Sequence, residues 1–288
     1  GGLQWRSANS RGGRGEAAGM QPCAKPAASA ESAQSPWRGV ESVSVELGRA
    51  TFTLKILGQD YSCSAGVPAE AVRAQTMLPV FNAIANLVVD AHAASAAAAG
   101  RAISCRAGCG ACCRQPVPIT HSEARRIVEL VESMPEKRRA AVRARFDSAM
   151  ERLRESGLLA VMRGAADPDS ADSRKLAYHY FDLGIACPFL EDESCSIHED
   201  RPLRCREYLV TSPAEMCADV ENQPVEVVPI LNRPSEALAA IGRGDQSLRP
   251  GFIALVQAFE WVKAHETPEE SVEGPAILQN FLRVLSAG

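Results

Sequence analysis

Eight of the ten cysteines in this chain fall into two groups with the spacing of metal ligands. The first group is Cys105, Cys109, Cys112 and Cys113, and the second is Cys187, Cys195, Cys205 and Cys217. Thiols at this density are seldom needed for packing alone, so they bind a metal, form disulfides or carry out redox chemistry. The choice among these three constrains the fold more than any other feature, because each would hold the cysteine-bearing loops in a different way.

The composition favours metal over disulfides. At 288 residues, 46% of them hydrophobic, the chain can bury a core without covalent cross-links. The N-terminal region lacks the apolar segment of a secretion signal, which predicts a cytoplasmic location. In a reducing compartment, clustered cysteines are metal ligands more often than disulfides.

The charge and hydropathy of the chain argue against two classes of partner. A net charge of −4 gives no general attraction to nucleic acid or to an anionic membrane surface. No apolar run approaches the roughly 20 residues of a membrane span. The predicted partner is therefore a metal ion or cluster, and an unidentified protein partner stays open.

Periodicity predicts a mainly α fold with a small N-terminal β-hairpin and an irregular, metal-stabilised cysteine-rich core. Residues 1–42 are predicted to be disordered, because they are rich in small and polar residues without an apolar period. Residues 43–100 should form the hairpin plus a helix, and residues 101–220 the cysteine-cluster metal-binding domain. Residues 221–288 should supply a C-terminal strand and helices.

Within these segments, several elements can be placed more closely. A helix over 68–98 should be kinked or split at Pro79 and end at Gly100. Capping boxes at Thr120–Glu123 and Ser133–Glu136 predict helices that run to about 133 and 155. Further predictions are a short helix over 176–183, a strand over 225–230, and helices over 252–264 and 276–285.

The spacing within the first group points to more than one metal centre. Cys109 and Cys112 form a C-x2-C turn, in which both sulfurs can reach one metal and Gly110 lets the backbone come close. Cys113 directly follows Cys112, so their side chains diverge and suit two sites or one polynuclear cluster. The second group is too widely spaced for a simple zinc finger and depends on the fold to converge on the first.

Eight thiolates could form two tetrahedral zinc sites, one iron–sulfur cluster plus a zinc site, or two clusters. Ligand softness excludes magnesium and calcium but does not separate zinc from an iron–sulfur cluster. Four thiolates on one divalent zinc carry a net negative charge. Five arginines that flank cysteines could donate to the sulfurs and neutralise this charge, or could form a solvated basic surface: Arg106, Arg114, Arg201, Arg204 and Arg206.

Three other residues bear on the ligand set. His198 follows Cys195 at an acceptable ligand spacing, but eight thiolates already complete two sites, so a hydrogen-bonding or surface role is favoured. Cys23 lies in the segment predicted to be disordered. Cys63 follows a strand and is interpreted as a buried small hydrophobic residue.

The cysteine motifs resemble the YkgJ-type cysteine-cluster family, described as a zinc- or iron-chelating CxxCxxCC domain. The motifs are CRAGCGACC from Cys105, CPFL from Cys187, CSI from Cys195 and RPLRCR from Arg201, followed by Cys217. The resemblance covers about 101–220 and implies metal chelation, without implying a reaction. The first gap is three residues where the family name has two, and His198 stands where many relatives have an aromatic residue.

Two alternative functions remain beside metal chelation. A related flagellin lysine N-methylase carries a similar cluster and implies an iron–sulfur enzyme or protein methylase, although no glycine-rich S-adenosylmethionine fingerprint follows a strand here. The other is an interaction module with structural zinc, in which the basic helix 136–155 binds a partner. For that helix, a solvated surface with internal ion pairs is the favoured interpretation.

Overall fold

The computed structural model describes residues 20–24, 40–46, 48–164, 171–241, 251–266 and 270–287. The α-helices are α1 Leu78–Ala98, α2 His121–Glu132, α3 Glu136–Glu155, α4 Leu158–Gly164, α5 Ala171–Asp182, α6 Leu203–Glu207, α7 Pro234–Ile241, α8 Ala258–Ala264 and α9 Gly274–Ala287. The strands are β1 Met20–Ala24, β2 Val40–Glu46, β3 Arg49–Ile56, β4 Gln59–Gly66, β5 Ala71–Val72, β6 Pro118–Thr120, β7 Leu190–Glu191, β8 Ser194–Cys195, β9 Phe252–Ala254 and β10 Val272–Glu273. The prediction of a mainly α fold is confirmed.

The predicted hairpin is present as β2 and β3, within a four-stranded antiparallel sheet of order β1-β4-β3-β2. Along β3, Phe52, Leu54 and Ile56 point into the core while their neighbours are partly or fully exposed. This alternation is the period of a half-buried strand. Strand β1 lies within the segment predicted to be disordered, and most of that segment falls outside the described residues.

Cys63 lies on β4 and is 5% exposed, as expected for a buried small residue. It is, however, disulfide-bonded, so its interpretation as a plain hydrophobic residue is wrong. Sequence reasoning missed this bond because it treated Cys63 by its place after a strand. Disulfides are rare in a reducing cytosol, so this bond does not favour the predicted cytoplasmic location.

The central helix α1 starts at Leu78, after a 3₁₀ turn over Ala74–Met77. Pro79 occupies the first turn of α1, where its missing N–H needs no partner, so the predicted kink is wrong. Gly100 ends the helix with a φ of +77°, as predicted. Over Ala74–Ala98 the helix is long and apolar enough to cross a membrane, contrary to the expectation from sequence, but half of the apolar window is buried within the protein. A core helix passes the same test.

The main hydrophobic core joins segments that the sequence predicted as separate. It contains residues of β3, β4 and α1 together with α7 and α9. Phe81 of α1 stacks on Phe281 of α9 with ring centroids 4.2 Å apart, and both side chains are fully buried. The boundaries proposed at 100 and 220 therefore do not separate the packing units.

The helices α2 and α3 follow the cysteine loop and form a second core with α8. The capping box predicted at the start of α2 is confirmed: Thr120 Oγ1 accepts from Glu123 N, and the Glu123 carboxylate accepts from Thr120 N. The second predicted box is wrong, because Pro135 caps α3 without a side-chain hydrogen bond. Ser133 instead donates to Leu130 O at the end of α2.

The C-terminal third departs most from the prediction. The expected strand over 225–230 is only a single bridge between Val210 and Val227. The expected helix over 252–264 begins as β9, passes through a 3₁₀ turn over Leu255–Gln257 and becomes α8. The cause is tertiary: β9 pairs with β6 in the register Ile119 to Ile253, a contact that local periodicity does not contain.

Candidate metal centre

All eight cysteines of the two groups line one cavity with a volume of about 840 Å³. The first group comes from the loop after α1 and from a 3₁₀ turn over Ala111–Arg114. In the second group, Cys187 lies in the loop after α5, Cys195 on β8, Cys205 on α6 and Cys217 in a 3₁₀ turn over Ala214–Ala218. All eight are free thiols, so the fold brings together two groups that are distant in sequence without joining them covalently.

Backbone hydrogen bonds fix the two groups against each other. Cys187 N donates to Cys113 O over 2.7 Å. The loop before Cys105 is held in the same way, since Ser104 N donates to Val210 O over 2.9 Å. Val210 N lies 3.4 Å from Cys105 Sγ and donates to it. Backbone donors of this kind favour a thiolate, and no sequence pattern identified Val210.

Phe189 anchors the second group to the core. Its ring is 1% exposed and meets the Phe146 ring of α3 edge to face, with centroids 5.6 Å apart. Cys187 and Cys195 pack against the same hydrophobic cluster. The Cys-Pro-Phe motif therefore buries the back of its loop and leaves the Cys187 thiol on the cavity wall.

Gly110 lets the first group approach the β7–β8 hairpin. A Cβ at this position would lie 2.5 Å from Glu193 Oε2 and 2.7 Å from Leu190 Cδ1. Its φ is −94°, so the requirement is space rather than an unusual backbone conformation.

We expect Gly110→Ala to lower the free energy of unfolding by about 1–3 kcal/mol, because overpacking at a close contact forces neighbours to move. It should also reduce the metal content of the purified protein, since the hairpin carries Cys195. Both can be measured by denaturant unfolding and elemental analysis. Gly108→Ala separates backbone strain from lack of space: nothing lies within 4 Å of its Cβ direction, but its φ of +82° disfavours any side chain, so its loss of stability reflects the backbone alone. Normal loading and stability of Gly110→Ala would contradict the close-packing interpretation.

The thiols differ in acidity according to their surroundings. Burial raises the pKa of Cys187 to about 12 and that of Cys205 well above its usual range. A hydrogen bond from Cys113 lowers the pKa of Cys112 to about 7, and the same contact raises the pKa of Cys113. Most of the buried thiols are therefore protonated at neutral pH without a metal, so metal binding must release protons.

The donor set fits zinc or iron in its chemistry. Eight sulfur donors around one cavity match soft or borderline metals, and hard cations would select oxygen. Across the described parts of the chain, no three His, Cys, Asp or Glu side chains lie close enough together to hold a metal ion as placed. The fit is thus one of ligand type, and stabilisation of the core by a metal belongs to the proposal below.

The five arginines predicted to flank the centre separate into different roles. Arg106, Arg201 and Arg204 line the cavity, while Arg114 and Arg206 do not appear among its lining residues. Arg114 donates to Glu193 over 2.6 Å and to Gly110 O over 3.0 Å. Arg206 is 4% exposed and donates to Arg201 O and to Asn86 Oδ1. These two arginines brace the loops around the thiols.

His198 also lines the cavity, and its Nε2 lies 2.9 Å from Arg201 Nη1. A guanidinium only donates, so Nε2 accepts and the ring proton sits on Nδ1. Partial burial lowers the pKa of His198, with the Arg201 charge as the second cause. Nε2, which could otherwise bind a metal, therefore already accepts a hydrogen bond from Arg201. This agrees with the hydrogen-bonding role that the sequence favours for His198.

The cavity also has walls that sequence reasoning did not include. Tyr208 lies close to the cysteines and pairs with the side chain of Gln115. Met162 and Leu176 from α4 and α5, and Phe252 from β9, form an apolar side. Because these residues come from elements distant in sequence, no local pattern marked them.

A cavity lined by eight free thiols defines a cysteine-rich domain with the ligand type of a metal site. Residues 104–224 match the CxxCxxCC family model, described as "Putative zinc- or iron-chelating domain". The match confirms the family resemblance drawn from the cysteine motifs and spans all eight cysteines. No curated protein and no solved structure shows significant similarity to the chain.

Proposed function

We propose that this protein binds iron as an iron–sulfur cluster, or binds zinc, through its eight clustered cysteines. The observation that carries the proposal is that all eight free thiols line one cavity. The family match supports chelation of zinc or iron by this segment. Within the proposal, the adjacent Cys112 and Cys113 on one 3₁₀ turn favour the cluster over a mononuclear site. Their thiols hydrogen-bond to each other, so the expectation that the two side chains diverge is wrong.

A structural or storage role follows from the ligand set. If every ligand is a protein thiolate, no coordination position stays open for substrate or water, unlike in a catalytic zinc site. The cysteines should then hold the surrounding loops in place, because structural metal binding contributes directly to folding free energy. The cytoplasmic location belongs to the same proposal: the eight free thiols support it, whereas the Cys63 disulfide counts against it.

The alternative of a basic interaction helix receives little support from the contacts of α3. Its arginines pair within the protein: Arg138 and Arg145 with Glu191, Arg143 with Glu132, and Arg154 with Glu260. These ion pairs offset positive charges that would otherwise attract an acidic partner. They match the solvated, internally paired surface that the sequence favours for this helix.

Purification under anaerobic conditions tests the proposed function. The full chain should carry iron and acid-labile sulfide, with visible absorption, if the centre is an iron–sulfur cluster. A colourless protein with about two zinc ions per chain would establish zinc and overturn the cluster. A protein that retains neither metal, and takes up neither when it is offered after reduction, would overturn the proposed function.

A further inference from the structure

We propose that Arg201, among the five arginines near the cysteines, is the positive charge that compensates the metal-bound thiolates and donates to a thiolate sulfur through its Nε–H. The inference rests on the proposed metal-binding function and assigns one residue of the chain to support that centre.

Four arginines are committed to other partners. Arg106 pairs with Glu215 over 2.8 Å in solvent, and Arg114 pairs with Glu193 over 2.6 Å. Arg204 lies 3.4 Å from Glu236 and stacks over the Phe252 ring at 5.5 Å. The guanidinium of Arg206 donates hydrogen bonds to backbone carbonyls and to Asn86. Carboxylates pair with the charges of Arg106, Arg114 and Arg204, although the Arg204 Nε is buried without a hydrogen bond just as the Arg201 Nε is. The donors of Arg206 are occupied by neutral acceptors, which hold its guanidinium away from the thiols.

Arg201 shares the cavity wall with Arg106 and Arg204, but it differs from them in having no carboxylate partner among the described residues. It lines the cysteine cavity, and the polar partner of its side chain is the neutral ring of His198. Its Nε is buried and makes no hydrogen bond within the described structure. A buried donor of this kind costs free energy unless something accepts from it. In a cavity lined by eight thiols, the available acceptor is a sulfur, and a metal-bound thiolate is the strongest one.

Arg201 shares one cavity with both cysteine groups. Cys112 of the first group and Cys195 of the second line the same cavity as Arg201. One guanidinium can therefore serve thiols that lie far apart in the sequence.

The backbone gives Arg201 a fixed position. It follows a 3₁₀ turn over His198–Asp200 and precedes Pro202, which keeps it extended at φ −58° and ψ 144°. Its carbonyl accepts from Arg206 Nε over 3.0 Å. The main chain is thus held independently of the side chain, so a change of the Arg201 side chain can test its charge without releasing the loop.

The test compares metal affinity of the full chain, loaded with the metal found in the wild type, by competition with a chromophoric chelator. Arg201→Gln should weaken binding by about 10- to 100-fold, the usual effect of removing a group that hydrogen-bonds to metal ligands. Arg106→Gln is the matched control, because it removes the same charge beside Cys105 from an exposed pair, and it should change affinity by less than about threefold. If the centre is an iron–sulfur cluster, Arg201→Gln should also shift its midpoint potential to a more negative value, since the lost charge favoured the reduced cluster.

Arg201→Lys separates charge from side-chain shape. It keeps the positive charge but lacks the Nε–H donor, so it should recover only part of the affinity that Arg201→Gln loses. Equal affinities of Arg201→Gln and Arg106→Gln, or an Arg201→Lys variant as weak as Arg201→Gln, would overturn the assignment. Both comparisons are made against a wild-type protein that binds metal. A wild-type protein that binds no metal would overturn the proposed function instead of the assignment of Arg201.

Discussion

Replacing Cys112 with serine is expected to remove most of the bound metal and to lower the free energy of unfolding by more than about 3 kcal/mol. Cys112 lies on the 3₁₀ turn that enters the cavity, and its thiol is the one whose pKa falls to about 7. A serine hydroxyl does not replace a thiolate on zinc or iron. Because metal binding by such a domain is folding free energy, the losses of metal and of stability should occur together.

Elemental analysis and denaturant unfolding of the full chain measure both effects. His198→Gln is the matched control, because it changes another cavity residue of suitable ligand type while keeping an acceptor for Arg201. We expect its metal content to equal that of the wild type. A Cys112→Ser variant with full metal content and unchanged stability would show that Cys112 is not a ligand. Loss of metal from His198→Gln would instead add the histidine to the ligand set.

Glu123→Ala is the second change with a large expected effect, a loss of about 3–5 kcal/mol in the free energy of unfolding. The Glu123 side chain is 4% exposed, and its carboxylate accepts from Thr120 N over 2.7 Å, Thr120 Oγ1 over 2.9 Å and Leu203 N over 2.8 Å. Removal leaves these buried donors without a partner, and each orphaned group costs about 1–3 kcal/mol. Burial of the carboxylate costs free energy in the wild type and raises the pKa of Glu123. Glu123→Ala removes this cost, which limits the total loss of stability.

The same change should reduce metal loading. Leu203 opens α6, the short helix that carries Cys205, so Glu123 ties that cysteine to the start of α2. Glu132→Ala is the control on the same helix, because its pair with Arg143 is exposed and contributes about 0–1 kcal/mol. Denaturant midpoints and metal content should follow the order wild type, Glu132→Ala, Glu123→Ala. A Glu123→Ala variant as stable as Glu132→Ala would refute the role of the carboxylate in joining the two segments.

Glu123 makes one contact that the local sequence predicts and another that it does not. Its spacing from Thr120 identified the capping box and the start of α2, because that contact spans three residues. The contact with Leu203 joins residues far apart in the chain, and no periodicity contains it. The failure at Ser133 and Glu136 has the same origin: the pattern was present, but Pro135 and the packing of α3 set the helix start.

Hydrophobic periodicity identified β3, α1, α2, α3 and α9, because each buries one face whose spacing follows from its own geometry. It misplaced the segments near 225–230 and 252–264, where pairing with distant strands or loops decides the conformation. It also did not anticipate that the N-terminal sheet and α9 share one core.

The sequence by itself determined the class of site. Eight thiols in recognisable motifs require a soft metal or a disulfide framework, and the motifs match a zinc- or iron-chelating domain. The type of metal ligand depends only on which side chains are present, so it can be predicted without the tertiary structure. Only the tertiary structure decided that the two cysteine groups face one cavity and that Cys63 belongs to a separate, disulfide-bonded site. It also distinguished Arg201 from four arginines with other partners, because position and hydrogen-bond partners depend on contacts between segments that are distant in the chain.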